Sequence, residues 1–342
     1  MHGWIILDKP LGLGSTQAVS AVKRALRQGG YAKTKVGHGG TLDPLATGVL
    51  PIALGEATKL AGRMLDSDKV YDFTIAFGEQ TDTLDAEGRV IATSPVRPTA
   101  AAVEAVLPRF TGPISQVPPA YSALKVDGAR AYDLARAGEA VVLASRDVVV
   151  FALTILPELG SGRETVGEAG GGGVGYRSQA PLPLHHALRA RSPSPSKLGE
   201  ESEEITLTAH VSKGTYIRSL ARDIAAALGT VGHVTMLRRT KAGPFDLSRA
   251  ISLDKLDASA KARSLEHLIL PLRAGLDDIP ALVLTPDQAG ALRQGRVLAG
   301  IAAADGAAFA MIDDVPVALV DIVGGEVRVA RGFNLPMSKE DT

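Results

Sequence analysis

A carboxylate placed in a turn built from glycine, threonine and proline is poorly suited to a packed core. The run VGHGGTLDPLATGVLP, residues 36–51, holds one such group, Asp43. Asp before proline is also a common turn former whose side chain bonds its own backbone. Residue type and spacing therefore leave two roles open, a turn brace or an ionised oxygen offered to a large ligand as a nucleophile. Glycines at 37, 39, 40 and 48 allow backbone to approach something large. A nucleophilic carboxylate must stay ionised, and burial under a ligand raises its pKa, so a cation has to lie close by. His38, five residues before Asp43, titrates near neutrality. It offers a general acid, a stacking or hydrogen-bonding surface, or a purely structural loop histidine.

The elements that position these groups are legible as patterns. Ser15 is placed to cap a helix running to about Arg27, because Ala18, Val19, Val22, Ala25 and Leu26 recur at helical spacing before Gly29 and Gly30. Tyr71 to Phe77 is strand-like, Thr99 to Leu107 helical, and Val148 to Leu156 a buried strand. Ile205, Leu207, Ala209 and Val211 alternate as in a half-buried strand ended by Lys213 and Gly214. A helix follows from about Tyr216, with Ile217, Leu220, Ala221, Ile224 and Leu228 on one face and Gly229 as its stop. Strands and helices without regular βαβ alternation predict a mixed α/β sheet rather than a doubly wound one.

Composition limits the possibilities. A chain of 342 residues is long enough for about two domains and a sizeable core. No stretch is apolar for the length of a bilayer, and Asp8 and Lys9 interrupt the start too early for a secretory signal, so a cytoplasmic location is expected. The absence of cysteine excludes disulfides and thiolate metal sites. The seven histidines include no His-x-x-x-His pair on a helical pattern, so no metal is expected. Lys plus Arg and Asp plus Glu both number 37, which gives no global field for a polyanion. Any phosphate contacts must come from local clusters. Lys23, Arg24, Arg27, Lys33 and Lys35 form one before the Asp43 loop, and Arg238, Arg239 and Lys241 another. Each cluster reads either as a solvated face or as a phosphate contact.

The stretch GHGGTLDPLATGVLPIALGEATK, residues 37–59, closely resembles the catalytic motif of the TruB family of tRNA pseudouridine synthases. Further matches follow in order: GWIILDKPLGLGST (3–16), LDSDKVYDF (65–73) with GEQTDTLDAEG (78–88), QVPPAYSALKVDGARAYDLARAGE (116–139), and SKGTYIRSLARDIAAALG with HVTMLRRTKAGPF (212–229 and 233–245). Asp43 matches the family's catalytic aspartate, and Arg218 the arginine that pairs with it. Tyr71 matches the tyrosine that stacks on the target base and has been considered as a base. Tyr216 and Leu237 match residues lining the uracil pocket, and His38 a histidine near the target nucleotide. By residue type alone, Tyr71 and Leu237 would be assigned to the core. Lys9, in the family's Lys-Pro pair, would support the Asp43 loop or a phosphate.

The resemblance implies a pseudouridine synthase fold, with a central mixed, mainly antiparallel sheet, flanking helices and the active site in a central cleft. It implies conversion of a T-loop uridine of tRNA, usually numbered 55, without a cofactor, by a monomer with no obligatory protein partner and no membrane. A guide-RNA-dependent pseudouridine synthase subunit and an RNA-binding chaperone of tRNA folding are the alternatives.

Two segments depart from this pattern. Residues 160–204 are too poor in large apolar side chains to offset their ordering entropy and read as a disordered insertion in a hairpin loop. The alternative is an RNA-gripping arm using Arg177, Arg189 and Arg191. The catalytic domain is expected over 1–256, a linker over 257–279, a small β-rich domain over 280–335 and a tail over 336–342. The β-rich domain should start with a strand and a helix capped by Thr285 and Pro286, and contain a hairpin at Gly324-Gly325. It resembles the PUA-like domain of many family members, and reads equally as a plain stabilising appendage.

Overall fold

The computed structural model describes residues 1–122, 124–126, 128–139, 141–156 and 201–335. Residues 160–200 of the expected insertion and the expected tail lie outside these. Residues 201–204 are not disordered, against expectation. The Ser202 amide donates to the Pro98 carbonyl at 3.2 Å, and Glu204 opens a strand.

The core begins with β1 (Gly3–Lys9), whose residues Trp4 to Leu7 are all buried. α1 (Ser15–Gln28) buries Ala18, Val19, Ala21, Val22, Ala25 and Leu26, the stripe that its spacing predicts. Its cap differs from expectation. Gly14 is the capping residue, and Gln17 Oε1 accepts the Gly14 amide at 2.8 Å. Ser15 is already helical, and its hydroxyl is committed to Leu42. β2 (Val36–His38) and β1 both pair antiparallel with β3 (Thr47–Leu54), every residue of which is buried. β3 pairs in parallel with the strand Gly232–Ala242 at Thr47 and Gly48, which makes the sheet mixed. With β4 (Lys69–Phe77), the main sheet has nine strands. Its order is β1, β3, Gly232–Ala242, β4, Glu204–Val211, Arg146–Ile155, Gly112–Gln116, with β2 and Phe245–Asp246 as branches.

The chain divides into two compact units, residues 1–71, 210–214 and 237–342, and residues 72–209 and 215–236. In the first, residues 257–279 are not the linker expected from sequence. They pack, with Leu265, Leu272 and Leu276 buried. Trp4 and Leu270 exchange backbone hydrogen bonds at 2.9 and 2.8 Å, and the Asp8 amide donates to Ile251 at 2.8 Å. This strap covers the outer edge of β1, which would otherwise expose unpaired backbone groups.

The C-terminal residues form a separate sheet ordered Ala281–Val283, Gly306–Ile312, Val315–Val323, Glu326–Gly332. Gly324 and Gly325, with φ of 58° and 77°, make its last hairpin turn. Thr285 caps the helix Pro286–Arg293 in a capping box with Gln288. Phe309, Met311 and Phe333 of this part share a buried cluster with Trp4 and Phe245.

In the second unit, Arg146–Ile155 pairs antiparallel with Gly112–Gln116. The Leu156 amide donates to Thr206 at 2.9 Å, so the chain ends flanking residues 157–200 lie close together. Thr99 caps the helix Ala100–Val106, and Ile217–Ala227 buries Ile217, Leu220, Ala221 and Ile224. Among the described residues no helix is long and apolar enough to cross a membrane.

Candidate active site

Asp43 sits half-buried in the loop between β2 and β3, and the backbone on both sides of it is tied down. On its N-terminal side, Ser15 Oγ donates to the Leu42 carbonyl at 2.9 Å and accepts the Leu42 amide at 2.8 Å. On its C-terminal side, the Pro44 carbonyl accepts the Gly12 amide at 2.9 Å and Lys9 Nζ at 3.3 Å. The Ala46 amide closes the turn onto the Asp43 carbonyl at 3.1 Å. Lys9 is fully buried and also donates to Pro10 and Leu13 at 3.0 and 2.6 Å. An ammonium so placed cannot meet an RNA phosphate, so of its two expected roles the geometry fits only the support of the loop.

Arg239 departs furthest from expectation. With Arg238 and Lys241 it reads in sequence as part of a solvated or phosphate-facing cluster, yet it is 1 % exposed. Its Nε donates to Val49 at 2.8 Å, Nη2 to Gly40 at 3.2 Å and Nη1 to Thr41 at 3.4 Å. One guanidinium therefore joins β3 to the loop just before Asp43. Gly48, at φ 98°, permits the approach of these strands, since a Cβ there would stand 2.2 Å from the Arg239 carbonyl oxygen. Arg238 is also engaged, in a bidentate pair with Asp8 at 3.1 and 2.9 Å.

His38 ends β2 and is partly buried, with its Nδ1 buried and unpartnered among the described residues. Burial, and secondarily the charge of Arg239, push its pKa below the usual histidine value. It is therefore neutral at neutral pH, which suits stacking or hydrogen bonding better than proton donation. Tyr71 lies partly exposed on β4, and Leu237 is buried on Gly232–Ala242. Near Tyr71, Lys69 is buried, and desolvation pulls its pKa down to about 8. Its Nζ donates to the Leu65 carbonyl at 2.7 Å and to that of Ser67.

Tyr216 and Arg218 belong to the second unit. Tyr216 precedes the helix Ile217–Ala227, where Gln116 grips its backbone twice: Oε1 accepts its amide at 2.8 Å and Nε2 donates to its carbonyl at 3.1 Å. The Arg146 guanidinium lies 4.9 Å from the Tyr216 ring centroid. Arg218 is buried and donates to Thr83 at 2.8 Å and Tyr121 at 2.9 Å. Its Nη1 lies 3.3 Å from Oδ2 of the buried Asp85. Asp85 is itself held by the Thr83 hydroxyl at 2.5 Å and the Glu87 amide at 3.1 Å. Asp85, Gln116 and Arg239 thus position groups that sequence reasoning named, and sequence reasoning gave none of the three that role.

Comparison with known proteins agrees with this arrangement of motifs. The profile of the TruB family pseudouridylate synthase (N terminal domain) matches residues 26–160, and that of the tRNA pseudouridylate synthase B C-terminal domain matches 218–277. The chain is 61% identical to tRNA pseudouridine synthase B of Novosphingobium aromaticivorans over 98% of both chains. It is 54% identical to the protein of that name from Zymomonas mobilis, over 98% of this chain and 96% of the other. Among solved structures, the crystal structure of the archaeal box H/ACA sRNP Nop10-Cbf5 complex matches with a TM-score of 0.63 and 24% identity. The match covers 98% of this chain and 86% of that one, a likeness of fold alone. With its motifs in family order and identity to these bacterial proteins sustained along nearly the whole chain, this protein belongs to the TruB family of pseudouridine synthases.

Proposed function

We propose that the protein isomerises the T-loop uridine of tRNA usually numbered 55 to pseudouridine, with Asp43 as nucleophile and no cofactor. The observation that carries this reading is a half-buried carboxylate in a loop whose backbone is anchored on both sides of it. The reaction breaks the bond from uracil N1 to the ribose anomeric carbon and joins that carbon to C5. A proton leaves C5 and N1 gains one, so nothing is oxidised or reduced. Three routes for Asp43 remain open: addition to the ring, attack at the anomeric carbon, and promotion of elimination.

Family correspondence supports the remaining roles. Arg218 is proposed as the cation that keeps Asp43 ionised, Tyr71 as the stacking surface, and Tyr216 with Leu237 as the lining of the uracil pocket. His38, held neutral by burial, would stack on or hydrogen-bond an extruded nucleotide. Extrusion is required because a uridine folded into the tRNA elbow cannot otherwise reach a half-buried carboxylate. The C-terminal sheet, residues 280–335, is proposed as a PUA-like domain. The enzyme would work as a cytoplasmic monomer without a partner protein.

The test is incubation of the purified protein with an unmodified tRNA transcript, followed by mapping of pseudouridine. Conversion of one T-loop uridine in the presence of chelator and without guide RNA is the expected result. Conversion only after a guide RNA is added would favour the guide-dependent reading, and tight binding without conversion the chaperone.

A further inference from the structure

Resting on the proposed reading of the substrate as tRNA, we propose that a basic groove between α1 and the segment after it binds the RNA phosphate backbone several nucleotides from the reacting uridine. The groove encloses about 950 Å³ and is lined by Lys23, Arg27, Lys33 and Lys35 together with Leu26 and Tyr31. All four cations are exposed, and among the described residues none is in an ion pair; no carboxylate lines the groove. In a chain with no formal net charge, this is a local concentration of positive charge.

The walls suit a sugar-phosphate chain. Leu26 is buried beneath the groove. Tyr31 is held in place, its hydroxyl donating to Glu266 at 2.8 Å and accepting the Leu265 amide at 2.9 Å. Its ring is thus a fixed flat surface beside the exposed cations. Four exposed cations line one groove. They match a polyanion, which gains affinity by releasing one set of counterions per neutralised phosphate.

Distance separates this groove from the chemistry. Ser15 of α1 touches Leu42 beside Asp43. Lys23 and Arg27 follow it by eight and twelve residues, or roughly 12 and 18 Å at the helical rise. Lys35 precedes His38 by three extended residues, or roughly 10 Å. The groove is beyond the base that Asp43 would attack and within reach of nucleotides a few positions away from it.

The test compares two groove variants, Lys23→Glu/Arg27→Glu and Lys33→Gln/Lys35→Gln, with a control, Arg109→Glu/Arg249→Glu. The control alters two exposed arginines elsewhere and changes net charge as the first groove pair does. Direct binding of tRNA transcript and steady-state pseudouridine formation are measured across a salt series. With two fewer phosphates neutralised, the slope of log affinity against log salt should become shallower by roughly 1.5. KM should rise about tenfold at low salt with kcat at saturating tRNA unchanged. The control should stay near wild type. Unchanged slope and KM in both groove variants, an equal change in the control, or a fall in kcat alone would overturn the proposal. Absence of pseudouridine with wild-type protein would overturn the activity reading instead, and the binding series would still judge the groove.

Discussion

Replacing Arg239 by lysine keeps the charge and removes the fork. The native guanidinium makes two well-formed bonds, to Val49 at 2.8 Å and Gly40 at 3.2 Å, and a longer one to Thr41 at 3.4 Å. A lysine ammonium is a single point and cannot serve β3 and the loop together. At least one carbonyl that now accepts a charge-assisted bond would be orphaned, and a second weakened. Each such loss costs about 1.5–3 kcal/mol where the partner stays buried, so Arg239→Lys should destabilise by about 2–4 kcal/mol. For a chain of this size that lowers Tm by roughly 3–6 °C, read by calorimetry or circular dichroism. Because two of the three carbonyls belong to Gly40 and Thr41, which lead into Asp43, turnover measured where both proteins are folded should also fall, by at least about tenfold. A variant within about 2 °C of wild type in Tm and equal in turnover would refute the assignment of Arg239 as the clamp of the loop.

Other consequences are as specific. Gly48→Ala should be more severe than Arg239→Lys, since it adds a Cβ 2.2 Å from the Arg239 carbonyl oxygen at a φ of 98°; soluble protein of wild-type stability would contradict this. His38 should titrate below the usual histidine value, as followed by the NMR shift of its ring protons. Because the unfolded chain then binds the extra proton more readily, His38 favours the fold fully above about pH 6.5. That contribution is lost as pH falls toward the depressed native value. In His38→Gln that acid-side loss should shrink, and an identical pH profile would contradict the assignment. Replacing residues 160–200 by a short glycine-containing turn should leave the urea midpoint unchanged or slightly higher. The flanking chain is already joined by the bond from Leu156 to Thr206, and loop closure cost varies slowly with length. Marked destabilisation would show that the segment packs on the core.

What the sequence made legible was local. The stripe of α1, the cap at Thr285 and the turn at Gly324-Gly325 each depend on residues within a few positions of one another, and each appears in the structure. Ser15 misled because its hydroxyl is bound to Leu42, 27 residues away. The strap over β1 was hidden because Leu265, Leu272 and Leu276, although spaced as on a helix, lie on separate short turns with Pro271 between them, and tertiary packing gives them their purpose. Arg239 was lost in a cluster of like charges. A strand reading would have shown it two residues from the buried Leu237, on the same face. Asp85 stood within a recognised motif, but its partner Arg218 is far along the chain.

The most direct measurement is single-turnover pseudouridine formation on tRNA transcript by Asp43→Asn, alongside its tRNA affinity. Asparagine keeps the size and much of the hydrogen bonding of the residue, so the anchored loop and the bound RNA should persist while the nucleophile is gone. The account predicts no detectable pseudouridine with affinity close to wild type. Product formed by the Asn variant would contradict the central claim.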